Sequence, residues 1–383
     1  MGGRWGPPAR PLVRQADHGA WPFRHGTGPE SGGARCDTAA VTDAGLVSLH
    51  RIRDARDRLA GHVHRTAMLS SEAGASQLRE GGGARVADGR LYVKAEHLQK
   101  TGSFKVRATR TKVASLAPEQ RAAGIVTLSA GNAGQAYAWA ARDAAVRATV
   151  VMPARAVRSK VEACLGYGAE VILHGEHVGE TADRVLELVA ERGLTLCHPF
   201  DDPDVIAGNG SVGLEILEDL PDVDLVVVAI GGGGLISGVA AALKESRPGI
   251  RVVGVEPEGS DALSVALAAG RVVPISPVSV ADGLGAPFAG EWTLAMVRRY
   301  VDDIVLLDDP TILAGLRFAA ERMKQVLEPA GAAALAAVLF GRVPIRNGER
   351  VCVVASGGNV ELRRLGELLE LGVAPAQRAA GSV

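Results

Sequence analysis

Short β-branched runs alternate, from Val41 onward, with longer segments whose apolar positions repeat at helical spacing. Residues 47–59 read as a helix, 91–94 and 124–128 as strands, and 133–142 as a helix. The apolar run 148–152 reads as a strand stopped by Pro153. Helical patterns at 160–165 and 181–192 flank a strand at 170–173. Helix 211–219, strand 225–230, helix 235–245 and strand 251–255 continue the alternation. Helices near 290–299, 311–326 and 331–340 lead to strand 350–355 and helix 360–370. This rhythm predicts βαβ units, hence an α/β fold with mostly parallel sheets flanked by helices. Ligands of such sheets bind beyond the carboxyl ends of the strands, so the turns there are where chemistry is sought.

Composition removes several alternatives. With 383 residues, 47% of them hydrophobic, the chain holds enough apolar material for two or three domains. Residues 1–40 are rich in Gly, Pro and Arg without apolar periodicity and read as a flexible tail; 373–383 read as a second tail. An organelle transit peptide is the competing reading of the first 40 residues, but Pro7, Pro8, Pro11 and Pro22 would interrupt its amphipathic helix. Forty-two basic residues against 43 acidic leave a net charge of −1, and 4% aromatics give no stacking platform, so no nucleic-acid partner is expected. The uncharged stretch 225–243 has the length of a membrane span, but four glycines at its centre make it strand, turn and helix instead; no membrane partner is expected. Cys36, Cys164, Cys197 and Cys352 are scattered without C-x-x-C spacing, which fits small buried hydrophobes in a reducing, cytoplasmic setting.

Three glycine-containing turns follow expected strands. Gly231-Gly232-Gly233-Gly234-Leu235 succeeds the run 225–230 and opens a helix, so convergent N–H groups and the helix's positive end suit a phosphate. No Gly-Lys-Ser/Thr closes it as a P-loop would, and Ile236 stands where a dinucleotide fingerprint wants a small residue. A tight turn without ligand competes with both. Ser129-Ala130-Gly131-Asn132-Ala133-Gly134-Gln135 offers hydroxyl, amide and N–H groups for a carboxylate or a ring oxygen, against a plain helix cap. Ser356-Gly357-Gly358-Asn359 places a hydroxyl where a flat ring could approach.

Only seven lysines occur, at 94, 100, 105, 112, 160, 244 and 324, so a lysine can mark chemistry that arginine cannot perform. Lysine can lose its proton and form an imine, and Lys105 opens a helix whose positive end favours the neutral amine. A solvated surface lysine is the competing reading.

The segment from Lys94 to Arg107, containing Ser103-Phe104-Lys105, resembles the Schiff-base lysine motif of fold-type II pyridoxal-phosphate enzymes, in the serine/threonine dehydratase (ammonia-lyase) group. Ser129–Gln135, Gly231–Gly234, Glu256-Pro257, Ala281-Asp282-Gly283, Glu328-Pro329-Ala330-Gly331 and Ser356–Asn359 are similar to the family's other blocks, in the same order, across about residues 45–372. The resemblance implies a two-domain, tryptophan synthase β-like fold: a large cofactor domain from 41–100 and 196–372, and a small one from 101–195. Lys105 would hold pyridoxal phosphate and act as the base on Cα. Phe104, Asn132, Gly231 to Gly234, Leu235, Gly283, Glu328 and Ser356 would bind the cofactor, and Ser129, Ala130, Ala133 and Gln135 would face the substrate. The implied reaction is elimination of the β-hydroxyl of L-threonine or L-serine, giving a 2-oxo acid and ammonia; β-replacement or racemisation of a related, bulkier amino acid is the alternative.

Departures bear on that reading. Ala130 stands where racemases of the group carry a second serine, and Ala133 where the family usually has histidine. The group's divalent-cation site would use Glu256 and a carbonyl near Ser260, but Ala262 replaces the third ligand, so a metal is not expected. About 24 residues follow Asn359, too few for the regulatory domain of biosynthetic threonine dehydratases. A homodimer is expected by analogy. A binding protein without cofactor, which would need no reactive amine, and a dinucleotide oxidoreductase are the readings from other classes.

Overall fold

The computed structural model describes residues 45–372; the expected tails 1–40 and 373–383, with Cys36, lie outside the described residues. Its strands are β1 (Met68–Ser71), β2 (Leu91–Lys94), β3 (Ile125–Leu128), β4 (Ala148–Met152), β5 (Glu170–Leu173), β6 (Thr195–Leu196), β7 (Leu225–Ala229), β8 (Arg251–Pro257), β9 (Asp303–Leu307) and β10 (Val351–Val354). The helices are α1 (Leu49–Leu59), α2 (Glu72–Gly82), α3 (Lys105–Ser115), α4 (Pro118–Ala123), α5 (Asn132–Asp143), α6 (Arg158–Gly166) and α7 (Val178–Arg192). They continue with α8 (Pro203–Asp219), α9 (Gly234–Ser246), α10 (Ala262–Ala269), α11 (Glu291–Tyr300), α12 (Asp309–Phe318), α13 (Pro329–Leu339) and α14 (Leu362–Leu371).

These strands form two sheets. The larger runs β1-β2-β10-β7-β8-β9 and is parallel except for β1, which pairs antiparallel with β2. The smaller runs β5-β4-β3-β6 and is wholly parallel. Parallel strands covered on both faces need apolar residues at every position, and β7 shows it. Leu225, Val227 and Ala229 face the core shared with α12 and α13, while Val226 and Val228 face the core shared with α8 and α9. In the small sheet Ile125, Val150 and Met152 pack towards α5, and Val126 and Val151 towards α7.

The pattern reading missed several elements for identifiable reasons. β1, half serine, and β9 are the two edges of the large sheet, where one partner suffices and the apolar run is short. Helix α8 begins eight residues before the expected 211, because Asp202 accepts hydrogen bonds from the amides of Asp204 and Val205 and Pro203 occupies the first turn. Gly208 hid it by lowering helix propensity, yet a Cβ there would lie 2.5 Å from the carbonyl oxygen of Arg107. That glycine lets α3 and α8 meet backbone to backbone. The expected helix 311–326 stops earlier: a wide turn over Ala319–Met323 ends at Lys324 in the left-handed region, φ 58°. Among the described residues no helix is long and apolar enough to cross a membrane. Cys164, Cys197 and Cys352 are buried as free thiols that burial pushes up to about 12.

Candidate active site

The chain passes from the small sheet to the large one through Cys197–Asp202, and the site is built around that crossing. Leaving β6, the backbone carbonyl of His198 accepts the Tyr137 hydroxyl at 2.8 Å, while its ring Nδ1 accepts the amides of Phe200 and Asp201. The fold of this segment presents the Pro199 carbonyl to Lys105 Nζ at 3.2 Å. One residue later, the Phe200 ring lies on Gly232: a Cβ built there would stand 2.4 Å from the ring. Phe200 is held in turn by His198 and Phe288, ring centroids 4.6 and 5.6 Å away. The lysine and the tetraglycine turn, 126 residues apart in sequence, thus share one wall.

Lys105 is the first residue of α3, and the amides before it are fastened to the turn after β10: Phe104 N–H donates to the Ser356 carbonyl at 3.1 Å, and Ser103 bridges Gly357. Burial brings the Lys105 amine from 10.5 down to about 8, because the low-dielectric surroundings penalise its charged form; the Glu328 carboxylate works weakly the other way. The Nζ also lies 5.0 Å from the centroid of the Phe104 ring. An amine so placed has a far larger neutral fraction near physiological pH than an ordinary lysine, and that fraction is able to attack a carbonyl or accept a proton.

Gly231 to Gly234 lead from β7 into α9. Gly233 has φ +88°, and no side chain caps the helix. The first amides of α9 are therefore left without a side-chain acceptor, an arrangement suited to phosphate. Leu235 is buried in the first turn. Ser356 lies two residues beyond β10, its hydroxyl 3.5 Å from the Ala330 carbonyl, a contact at the limit of a hydrogen bond, and the nearby Ser103 hydroxyl has no partner. A desolvated amine, an uncapped glycine cradle and an under-used hydroxyl fit a flat, phosphorylated, amine-reactive cofactor.

Opposite this wall stands the start of α5. Asn132 Nδ2 donates to Glu328 Oε1 at 2.6 Å, and Asn132 Oδ1 accepts from Asn359 Nδ2 at 2.8 Å. Asn359 also donates to the Thr101 carbonyl. Lys160 on α6 pairs with Asp282 at 2.8 Å, beside Gly283, whose own Cβ position would lie 3.8 Å from Glu328 Oε1. Asn132 on α5 and Lys160 on α6 are thereby joined to the turns that carry Glu328, Asn359 and Asp282. Ser129 Oγ accepts the Gly131 amide, Ala130 is half-buried, and Ala133 and Gln135 are buried in the first turn of α5. Sequence reasoning did not find Pro199, Phe200 or the Asn359 amide as site groups.

Burial raises the Glu328 carboxyl from 4.5 to about 7, against the lowering effect of the Asn132 hydrogen bond. A folded-state value above the unfolded one means that the native protein binds the extra proton. Its stability contribution is full below about 4.5 and is lost as pH rises through 7. Glu328→Gln, which keeps an acceptor for Asn132, should therefore gain stability relative to the parent between pH 5 and pH 8, on the order of 1–3 kcal/mol. Urea unfolding of both proteins at the two pH values checks this; a pH-independent difference contradicts it.

Glu256 and Ser260 are engaged elsewhere. Glu256, at the end of β8, accepts the amides of Leu263 and Ser264 and the Ser264 hydroxyl at 2.6–3.0 Å, serving the start of α10, and burial pushes its carboxyl up to about 7. Ser260 donates to the Leu284 carbonyl. Among the described residues no group of three His, Cys, Asp or Glu side chains is placed to hold a metal ion.

Two mostly parallel sheets with a desolvated lysine beside a glycine-cradled helix terminus define a class: α/β enzymes that carry a phosphorylated, amine-reactive cofactor. The family described as pyridoxal-phosphate dependent enzyme matches residues 41–357, and the chain belongs to it. It is 40% identical over 334 residues to the L-threonine ammonia-lyase of Thermotoga maritima, covering 87% of this chain and 80% of that one. Its identity to the catabolic L-threonine dehydratase of Escherichia coli K12 is 39% over 325 residues, covering 84% and 96%. Among solved structures, maize serine racemase superposes with a TM-score of 0.78 at 36% identity, covering 85% of this chain and 97% of that one. The processed form of threonine deaminase isoform 2 from Solanum lycopersicum superposes with 0.76 at 32% identity, covering 84% and 86%. The fold is that of the fold-type II pyridoxal-phosphate enzymes, as the sequence implied, and the cofactor is pyridoxal phosphate.

Proposed function

We propose that this enzyme is an ammonia-lyase that eliminates water from a β-hydroxy L-amino acid, L-threonine or L-serine; hydrolysis of the resulting enamine takes that water back and releases ammonia, leaving a 2-oxo acid. The observation that carries the reading is the Lys105 amine, brought to about 8 at the head of α3 and fixed against the tetraglycine wall. Pyridoxal phosphate, when bound, supplies the electron sink that makes the substrate Cα–H acidic.

The chain supplies the rest. Gly231 to Gly234 and the α9 amides hold the phosphate, and Leu235 closes the apolar side of that cradle. Ser356 would offer the pyridine nitrogen a neutral hydroxyl, Phe104, Gly283 and Glu328 would border the ring, and Asn132 would serve its phenolic oxygen. Lys105 Nζ holds the cofactor and then takes the Cα proton as general base. Ser129, Ala130, Ala133 and Gln135 receive the substrate carboxylate and side chain. The methyl of Ala130 offers no proton to the opposite face of Cα, which favours elimination over racemisation. The identities to threonine ammonia-lyases and dehydratases support the same choice.

The reading extends to the whole molecule. A small body at 101–195 and a large one at 41–100 and 196–372 are consistent with the two sheets, with α3 packed between α5 and α8. Three buried thiols suit the cytoplasm. Exposed Leu98 and Val326 flank the His97–Gln325 hydrogen bond and give an apolar patch for a homodimer.

The test is the visible absorption spectrum of the holoenzyme before and after addition of L-threonine. A cofactor band that changes on mixing, with 2-oxo acid and ammonia formed in equal amounts, is expected. A cofactor band indifferent to threonine and serine would reject this substrate class and direct the search to larger side chains, through Ala133.

A further inference from the structure

On the side of α3 away from the Lys105 amine, four charged side chains are buried together. Arg107 grips Glu96 with Nε and Nη2, both at 2.8 Å, and Glu215 with Nη1 and Nη2 at 2.7 and 2.9 Å. It also donates to the Ser211 hydroxyl and the His64 carbonyl. Lys94 Nζ reaches Glu215 at 2.7 Å, the Thr66 carbonyl at 2.8 Å and Asp219 at 3.3 Å, and Thr66 donates to Glu96. Arg107 is 1% exposed, Lys94 and Glu96 0% and Glu215 5%, so two cations and two anions balance in the interior. Asp219 stands at the rim.

Stability gives a poor account of this cluster. Desolvating two such pairs costs about as much as their attraction returns, and well-packed apolar residues often serve equally well. What the cluster provides is geometry. Two bidentate forks fix a guanidinium in position and in plane, which apolar contacts do not. They tie α3 to the segment after β2, through Glu96, and to α8, through Glu215. Residues two apart on an α-helix point about 200° away from one another. Arg107 therefore grips the back of the helix turn whose front carries the Lys105 amine. The helix start has no side-chain cap, and its front is held by the Ser356–Gly357 backbone.

We propose that Arg107 is a positioning residue for Lys105: clamped by Glu96 and Glu215, it sets where the first turn of α3 holds the amine. The proposal rests on Lys105 being the cofactor lysine. Arg107 touches neither substrate nor cofactor; it acts through the helix backbone.

The experiment uses the holoenzyme and two variants. Arg107→Lys keeps the charge but cannot engage both carboxylates in forks. The double variant Arg107→Met with Glu96→Gln removes one cation and one anion, leaves the Lys94–Glu215 pair, and so keeps the interior balanced. Borohydride reduction followed by peptide mapping locates the cofactor link. Expected is trapping at Lys105 in all three proteins, and a thermal midpoint of the double variant near the parent's. In both variants kcat should fall about 10- to 100-fold with KM nearly unchanged, the signature of a misplaced reacting group. The visible circular-dichroism band, which reports how the bound chromophore is held, should change in both. A folded double variant with parental kcat and an unaltered band overturns the proposal. Failure of both variants to fold would assign Arg107 to stability alone and overturn it as well. A parent protein that traps cofactor elsewhere than Lys105 would instead remove the reading on which the proposal rests, a result distinct from either.

Discussion

Lys105→Ala should leave a folded protein that forms no measurable 2-oxo acid, a loss of at least about 10³-fold for removal of a group acting as general base. The same substitution removes the anchor, so cofactor should leave on dialysis where the parent retains it. Stability should hold or rise. The amine is buried, its charged form is penalised, and its hydrogen bond is a single one to the Pro199 carbonyl. A thermal scan and a coupled assay for 2-oxo acid, run on the same sample, separate the two effects. Retained turnover would move the chemistry away from this lysine.

Gly232→Ala is the second large effect, and it arises from geometry rather than charge. The added methyl would stand 2.4 Å from the Phe200 ring, far inside van der Waals contact. The ring cannot swing aside freely, because His198 packs edge-on against it and Phe288 lies at 5.6 Å. The turn must move instead, and with it the amides that receive the phosphate. Overpacking of this kind costs about 1–3 kcal/mol, so cofactor affinity should fall by roughly 10- to 100-fold while the substrate KM of the saturated enzyme changes little. Cofactor titration followed by fluorescence measures the first quantity. Parental affinity would mean that the tetraglycine turn does not carry the phosphate.

The parallel sheets were legible in the sequence because each buried strand announces itself as an unbroken apolar run, as at 225–230, followed by a glycine turn. The edge strands were not: Met68–Ser71 needs only one neighbour and spends half its length on serine. The same division runs through the site. Lys105, Gly231 to Gly234 and Ser356 lie at element boundaries, where unusual residue types stand out, and the structure gathers them around one crossing segment. Pro199 works through its carbonyl and Phe200 through its position against a glycine, so residue type says little about either. Arg107 lies inside the motif but reaches Glu215, 108 residues on, and such a partnership leaves no trace in local spacing.

The order of strands in the larger sheet has a consequence for synthesis. The four strands of the smaller sheet come from 125–196, a continuous stretch that can close as soon as it leaves the ribosome. The larger sheet cannot. One of its inner pairings joins β2 to β10, with Cys352 opposite Tyr92. Through the translation of some 250 intervening residues, β2 has only the short antiparallel partner β1, and one apolar edge stays open. Closing so distant a pair comes late and is slow. A nascent chain released early should display a finished smaller sheet beside an unpaired edge, the state in which this protein most needs a chaperone.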